Sequence, residues 1–261
     1  MIKNFFLTGD THGNNDKRVW SILHNNSVNP QETAVIILGD AGFNYYLNKR
    51  DYWNKKKTSE LGCHVYCVRG NHEQRPELIS TMSKTYDKDV QGYVYFEPEF
   101  PLIKYFIDGE IYTINGYKVL IIGGAYSVDK HYRMQIDAQW FPNEQLTEQE
   151  MNEIEYNING NTVDLVLSHT CPISFQPTDL FLTCINQNLV DNTMEKWLEK
   201  IKDSFNWTVW CFGHYHDDRI QKPYVEMFYT GYQNLNDLMN YWKNYGIIEE
   251  AEWQLGEMKN G

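Results

Sequence analysis

Apolar residues in this chain fall into short, nearly unbroken runs, and several of the runs end in a polar cluster. "KNFFLTGD" ends at Asp10, "AVIILGD" at Asp40, "HVYCVRGNH" at His72, "VDLVLSHT" just past His169 and "WTVWCFGH" at His214. Their cores lack the polar alternation of a half-exposed strand, so they predict strands buried on both faces. Between the first three lie stretches with helical character, roughly Asp16 to Asn25 and Tyr45 to Lys57. Strand and helix in alternation predict strand–helix–strand units with right-handed crossovers.

The middle of the chain reads differently. "EIYTINGYKVLIIGGA" is two β runs joined by Asn115-Gly116, the strongest short-range hairpin signal, so an antiparallel element joins the parallel one. "TEQEMNEIEYNI" predicts a helix with Thr147 as N-cap and Glu150 three residues on, a capping-box pattern. A further helix starts near Asn192. "YVEMFYT" predicts a strand and "NLNDLMNYWKN" a helix. No repeat or low-complexity linker divides the chain. The expectation is one mixed α/β domain over 1–261, with 217–261 as its C-terminal strand and helix extension and enough helices to cover two stacked sheets.

In α/β sheets, ligand and catalytic groups collect beyond the carboxyl ends of strands. Here "GDTHG", "GDAG", "GNHE", "SHT" and "GHYH" supply Asp10 and His12, Asp40, Asn71 and His72, His169, then His214 and His216. Five of the eight histidines stand at these ends. Taken singly, each has an everyday explanation: Asp10 or Asn71 as a turn former, His169 as a hydrogen-bonded core residue. Their recurrence at successive strand ends predicts one site. His214 and His216 face one spot if the strand runs on, and also converge if the chain turns at Gly213.

Composition limits the partners. A net charge of −12 argues against a broad basic face for long duplex nucleic acid. A nucleotide, a phosphopeptide or a short single-stranded end remains compatible. The five cysteines include no spacing for a four-thiolate zinc site, and three lie in or beside strand runs, as small hydrophobes do. The N-terminal apolar run is too short for a signal-peptide core, and no run reaches membrane-spanning length. The expectation is a soluble protein of the reducing cytoplasm. Aromatic residues make up 15% of the chain, which suits either packing or ring stacking.

The ordered series "GDTHG … GD … GNHE … H … GHYH", from Gly9 to His216, resembles the calcineurin-like metallophosphoesterase superfamily. The resemblance implies a two-layer β-sandwich flanked by helices, with a dinuclear metal centre at the strand ends. By resemblance Asp10, His12 and His216 hold one ion, Asp40 bridges, and Asn71, His169 and His214 complete the second. His72 is by resemblance a general acid at the leaving oxygen, and Glu73 beside it reads either as a partner that supports the site or, by preference, as solvated. A purely nitrogen and oxygen donor set suits manganese first, with iron, zinc or nickel as alternatives. Water shared by two such ions loses its proton near neutral pH and can attack phosphorus in line.

The pattern also departs from one branch. "GDAGFNYY" lacks the Val-Asp-Arg-Gly run that follows the bridging Asp in Ser/Thr protein phosphatases, so the phosphate-gripping Arg of that branch is missing. Arg75, Lys130 and Arg133 are the candidate replacements. The stretch "GGAYSVDKHYR…QWFPNEQ" resembles a segment of bacterial and phage superfamily members, and Tyr126 to Arg133 reads as a substrate-side loop. The expected activity is hydrolysis of a phosphomonoester or phosphodiester. A protein phosphatase and a non-catalytic metal-binding scaffold are the competing readings.

Overall fold

The computed structural model of the chain describes residues 1–246. The predicted parallel units are present. Strands β1 (Asn4–Thr8), β2 (Thr33–Ile37) and β3 (His64–Cys67) pair in parallel. They are linked through helices α1 (Asn15–Asn26) and α2 (Lys49–Ser59). Beyond β3 the sheet continues through β4 (Ser83–Asp87), β5 (Gly92–Phe96) and β6 (Ile103–Tyr105), in the order β3-β6-β5-β4. The β4–β5 hairpin carries no sequence signal of the kind used above. "SKTYD" is largely exposed and charged, and its strand character comes from the partner across the ladder.

The second sheet begins with the Asn-Gly hairpin. β7 (Ile111–Ile114) and β8 (Tyr117–Ile122) pair antiparallel, and Asn115 and Gly116 both take positive φ, as a two-residue turn requires. A short helix, α3 (Lys130–Gln135), and then α4 (Glu148–Ile158) follow, with the Thr147–Glu150 capping box formed at the start of α4. β9 (Thr162–Ser168), α5 (Thr193–Ile201) and β10 (Asn206–Phe212) come next, and β8, β9 and β10 are mutually parallel. β11 (Arg219–Lys222) and β12 (Val225–Met227) finish this sheet. β13 (Tyr232–Asn234) crosses back to pair antiparallel with β1, and residues 235–246 are helical. The expected C-terminal extension, 217–261, therefore lies within the described residues only as far as 246.

Side-chain alternation along the strands builds three apolar layers. Phe5 and Leu7 of β1, Val119 and Ile121 of β8, and Val209 and Cys211 of β10 meet between the sheets. Leu235, Leu238 and Trp242 join the same layer. Phe6, Val35 and Ile37 point the other way, onto Val19 and Ile22 of α1. Leu120, Val166 and Trp210 turn outward onto Ile154 of α4 and Trp197 and Leu198 of α5. The architecture is a helix-flanked sandwich of two mixed sheets. The parallel strands of both sheets bring their carboxyl ends to one edge.

One predicted boundary moves. The helix expected from Tyr45 starts at Lys49, because the Asn48 side chain caps it by accepting from the Arg50 N–H at 2.8 Å. The Asp51 carboxylate takes the Tyr46 and Leu47 N–H groups, which holds residues 45–48 as a turn.

Candidate metal centre

The five polar strand ends converge. Beyond β1, Asp10 is 1% exposed, and beyond β2 so is Asp40. Asn71 follows β3, His169 follows β9, and His214 and His216 follow β10. The chain does turn at Gly213: His214 and His216 have φ of 68° and 56°. His12 (45°) and Asp40 (50°) are also left-handed. Non-glycine residues in this region cost on the order of 1–3 kcal/mol each and gather where function over-determines the backbone.

Donor atoms of Asp10, His12 and His216 lie within 4.8 Å of one another, as do those of His12, Asp40 and His72, and those of Asp10, Asp40 and His169. Asp10 and Asp40 each belong to two of these groups, so the groups form one continuous cluster. Among the described residues, the ion-pair partners of both carboxylates are histidines alone. No cysteine enters the cluster. Cys67 and Cys211 are core residues instead.

Several contacts bear on whether a cation fits here. The His169 Nδ1 donates to the Leu38 carbonyl at 2.8 Å, which turns its Nε2 toward Asn71 Oδ1, also at 2.8 Å. The Asn71 amide nitrogen is committed to Ser127 Oγ. Two acceptor atoms thus face each other, an arrangement that a shared cation relieves. His12 Nε2 and His216 Nε2 likewise stand 2.9 Å apart, with Asp10 Oδ2 3.1 Å from the latter. Binding a metal-ligating imidazole through its second nitrogen to a carbonyl is the usual way to fix its orientation. The donor set fits divalent transition metals.

The electrostatics agree. Burial alone would raise the Asp40 pKa, yet His72, His169 and His12 outweigh it and hold the carboxylate ionised. Burial also opposes ionisation at Asp10, where the hydrogen bond with His216 together with the nearby His169 and His12 outweighs it and the pKa falls. Burial, and then the nearby His169, push the His214 pKa down to about 3, which leaves its imidazole neutral with a free lone pair.

Glycines make the close approach feasible. At Gly39, with φ of 100°, a Cβ would fall inside the His169 ring, and at Gly70 a Cβ would fall on the Asp40 carboxylate. Gly39→Ala should therefore destabilise the fold by about 2–4 kcal/mol, from left-handed strain and overpacking together. It should also displace His169 and cut activity. Urea denaturation and metal content check this; unchanged stability would contradict the packing.

The candidate substrate cations separate. Arg75 is corrected to a structural residue. The residue is 6% exposed, and its guanidinium is saturated by Glu150 at 2.5 Å and by the carbonyls of Asn143 and Gln145. Lys130 places its ammonium over the Tyr126 and Trp140 rings, at 4.6 and 5.6 Å. Arg133 does reach the cluster. Asp129 holds it at 2.9 Å, and its guanidinium touches the His72 ring. Glu73, expected in solvent, is 1% exposed; it accepts from Tyr105 Oη and the Gly70 N–H, and burial raises its pKa to about 7.

Sequence reasoning missed the support of Asn71. Ser127 takes its amide hydrogen, and Glu144 in turn accepts from both the Ser127 hydroxyl and Trp140 Nε1. The available signal was chemical: an Asn that offers its oxygen to an ion needs a fixed acceptor for its nitrogen. The segment 176–192, which lines a cavity beside Asp40, His72 and His216, was missed as well, since its apolar residues have no periodicity.

The sequence model of the family described as calcineurin-like phosphoesterase matches residues 3–218. The chain belongs to this family. No curated protein matches it in sequence. Membership makes the protein a phosphoesterase, a metal-dependent hydrolase of phosphate esters. The matched span contains every polar strand end described above. Among the described residues, no helix of this phosphoesterase is long and apolar enough to cross a membrane.

Proposed function

We propose that the phosphoesterase works with two divalent transition-metal ions, manganese first among them, on small or nucleotide-like phosphate esters. The observation that carries this reading is the overlap of the donor groups, in which Asp10 and Asp40 are each shared. Asp10, His12 and His216 would hold one ion; Asn71, His169 and His214 the other; Asp40 would belong to both. Such ions, when bound, bring coordinated water toward neutral pKa and offset charge on phosphoryl oxygens.

The protein's own residues do the rest. Asp40 accepts the His72 N–H at 2.8 Å and so fixes the backbone that presents both Asn71 and His72. The Leu38 carbonyl and Ser127 orient His169 and Asn71. His72, 27% exposed at its side chain, would donate a hydrogen bond or proton to the leaving oxygen, with the Arg133 guanidinium adding positive charge beside it. The intact donor set and the presence of His72 weigh against a non-catalytic scaffold. All five cysteines are free thiols, in keeping with a reducing, cytoplasmic setting.

Metal dependence tests the reading directly. Chelation should abolish hydrolysis of p-nitrophenyl and bis-p-nitrophenyl phosphate, and manganese should restore it, with about two ions per chain by elemental analysis. Activity that survives exhaustive chelation, or restoration at one ion per chain, would refute the two-ion form.

A further inference from the structure

Two separate cavities open at the cluster. The first, about 400 Å³, runs from Asp40, His72 and His216 to the segment 176–192. The second, about 420 Å³, lies against His12, Tyr45, Tyr46 and Arg50. Among the described residues, His72 is the only one common to the two walls. Each is large enough for a small-ligand group, since ligand sites span about 300–1,000 Å³.

Their chemistry differs. The first is walled by Leu180, Phe181, Leu182, Ile185, Val190 and Tyr215. The Phe181 and Tyr215 rings are nearly parallel, 21° apart, with centroids 6.3 Å from each other. Away from the cluster its charged residues are Asp129 and Glu195, and no Lys or Arg lines it among the described residues. Glu195 Oε2 has no hydrogen-bond partner among the described residues. An anionic group would be repelled here, whereas a flat, uncharged ring bearing a donor would be accommodated.

The second cavity is lined by one guanidinium, Arg50, and one carboxylate, Asp51. Arg50 is exposed, with its guanidinium over the Tyr46 ring at 4.8 Å. The neighbouring Asp51 carboxylate is occupied by the Tyr46 and Leu47 N–H groups, so the Arg50 charge remains available.

A phosphomonoester carries one organic group and needs one such cavity. Two cavities of unlike chemistry that meet at His72 fit a phosphorus atom with two organic arms. We propose that the substrate is a phosphodiester with one uncharged, ring-bearing arm in the cavity walled by Phe181 and Tyr215, and a second, anionic arm running past Arg50. The proposal rests on the reading that phosphorus is held at the Asp10–Asp40 cluster. In the reaction a water oxygen bonds to phosphorus and one ester P–O bond breaks. The departing oxygen takes a proton, giving a phosphomonoester and an alcohol.

The test uses the full, manganese-loaded chain and follows p-nitrophenolate release. The substrates are p-nitrophenyl phosphate, ethyl p-nitrophenyl phosphate, bis-p-nitrophenyl phosphate, thymidine 5′-(p-nitrophenyl phosphate) and its 3′-phosphorylated form. We expect kcat/KM for the diesters whose non-leaving arm carries a ring to exceed that for the monoester and for the ethyl diester at least tenfold. The lower KM of the aryl or the thymidine diester identifies which ring is preferred. Phe181→Ser should raise KM for bis-p-nitrophenyl phosphate at least fivefold more than KM for the ethyl diester. Arg50→Ala should raise KM at least fivefold for the 3′-phosphorylated substrate relative to its unphosphorylated counterpart. Calorimetric titration of diphenylphosphinate, whose P–C bonds are not hydrolysed, into the parent and the Phe181→Ser proteins reads the first cavity without turnover, and at least fivefold weaker binding to the second is expected. Equal or better hydrolysis of the monoester would overturn the diester proposal while leaving the two-ion reading intact. Metal-loaded protein that hydrolyses none of these esters would instead remove the functional reading beneath it.

Discussion

Asp40→Asn should lower kcat for bis-p-nitrophenyl phosphate by about 10³-fold or more, the equivalent of roughly 4 kcal/mol of lost charge stabilisation. The substitution isolates a single charge. Asp40 sits at φ 50°, a region that Asn enters as readily as Asp, so the backbone is not strained further. The amide oxygen of Asn can still accept the His72 N–H, a bond of 2.8 Å. What disappears is the negative charge common to two of the donor groups. Metal content measured on the same protein should drop below that of the parent. Without metal, Asp40 repels Asp10, but the surrounding histidines hold the Asp40 pKa below the ordinary carboxylate value, so its charge stabilises the fold and the metal-free variant should melt below the metal-free parent at neutral pH. Full metal content together with near-normal kcat would remove Asp40 from the centre.

His72→Ala should have the next-largest effect, and its size should depend on the leaving group. For alkyl esters, whose alkoxide needs a proton, the loss should be about 10²–10⁴-fold, the usual range for general acid catalysis. For p-nitrophenolate, which leaves unaided, it should be at least tenfold smaller. Burial lowers the His72 pKa, Asp40 opposes this and Arg133, whose guanidinium touches the ring, reinforces it. A second outcome separates acid from ligand, because His72 also stands within donor range of His12 and Asp40. Unchanged metal content with a leaving-group-dependent loss fits the acid. Lost metal, or equal losses for both classes of ester, excludes it.

The legible and the illegible parts of this protein divide by range. Asp10, Asp40, Asn71, His169 and His214 could be picked out because each closes a buried strand, and a polar residue at such a point stands out against the run before it. The Asn115-Gly116 hairpin and the Thr147 cap were readable for the same reason, being set by a few adjacent residues. Arg75 was misread because the Glu150 that neutralises it lies 75 residues further along. Glu73 was misread because Tyr105, from β6, covers it.

By itself, then, the sequence determined which strands are buried, which side chains sit at their ends, and that these are oxygen and nitrogen donors, because apolar runs and turn residues act locally. Only the tertiary structure decided that Arg133 rather than Arg75 or Lys130 reaches His72, that Ser127 and Glu144 hold Asn71 in place, and that two unlike cavities meet at the cluster. Those outcomes depend on which crossover brings which distant segments together, and burial, pairing and cavity shape exist only once that packing has formed.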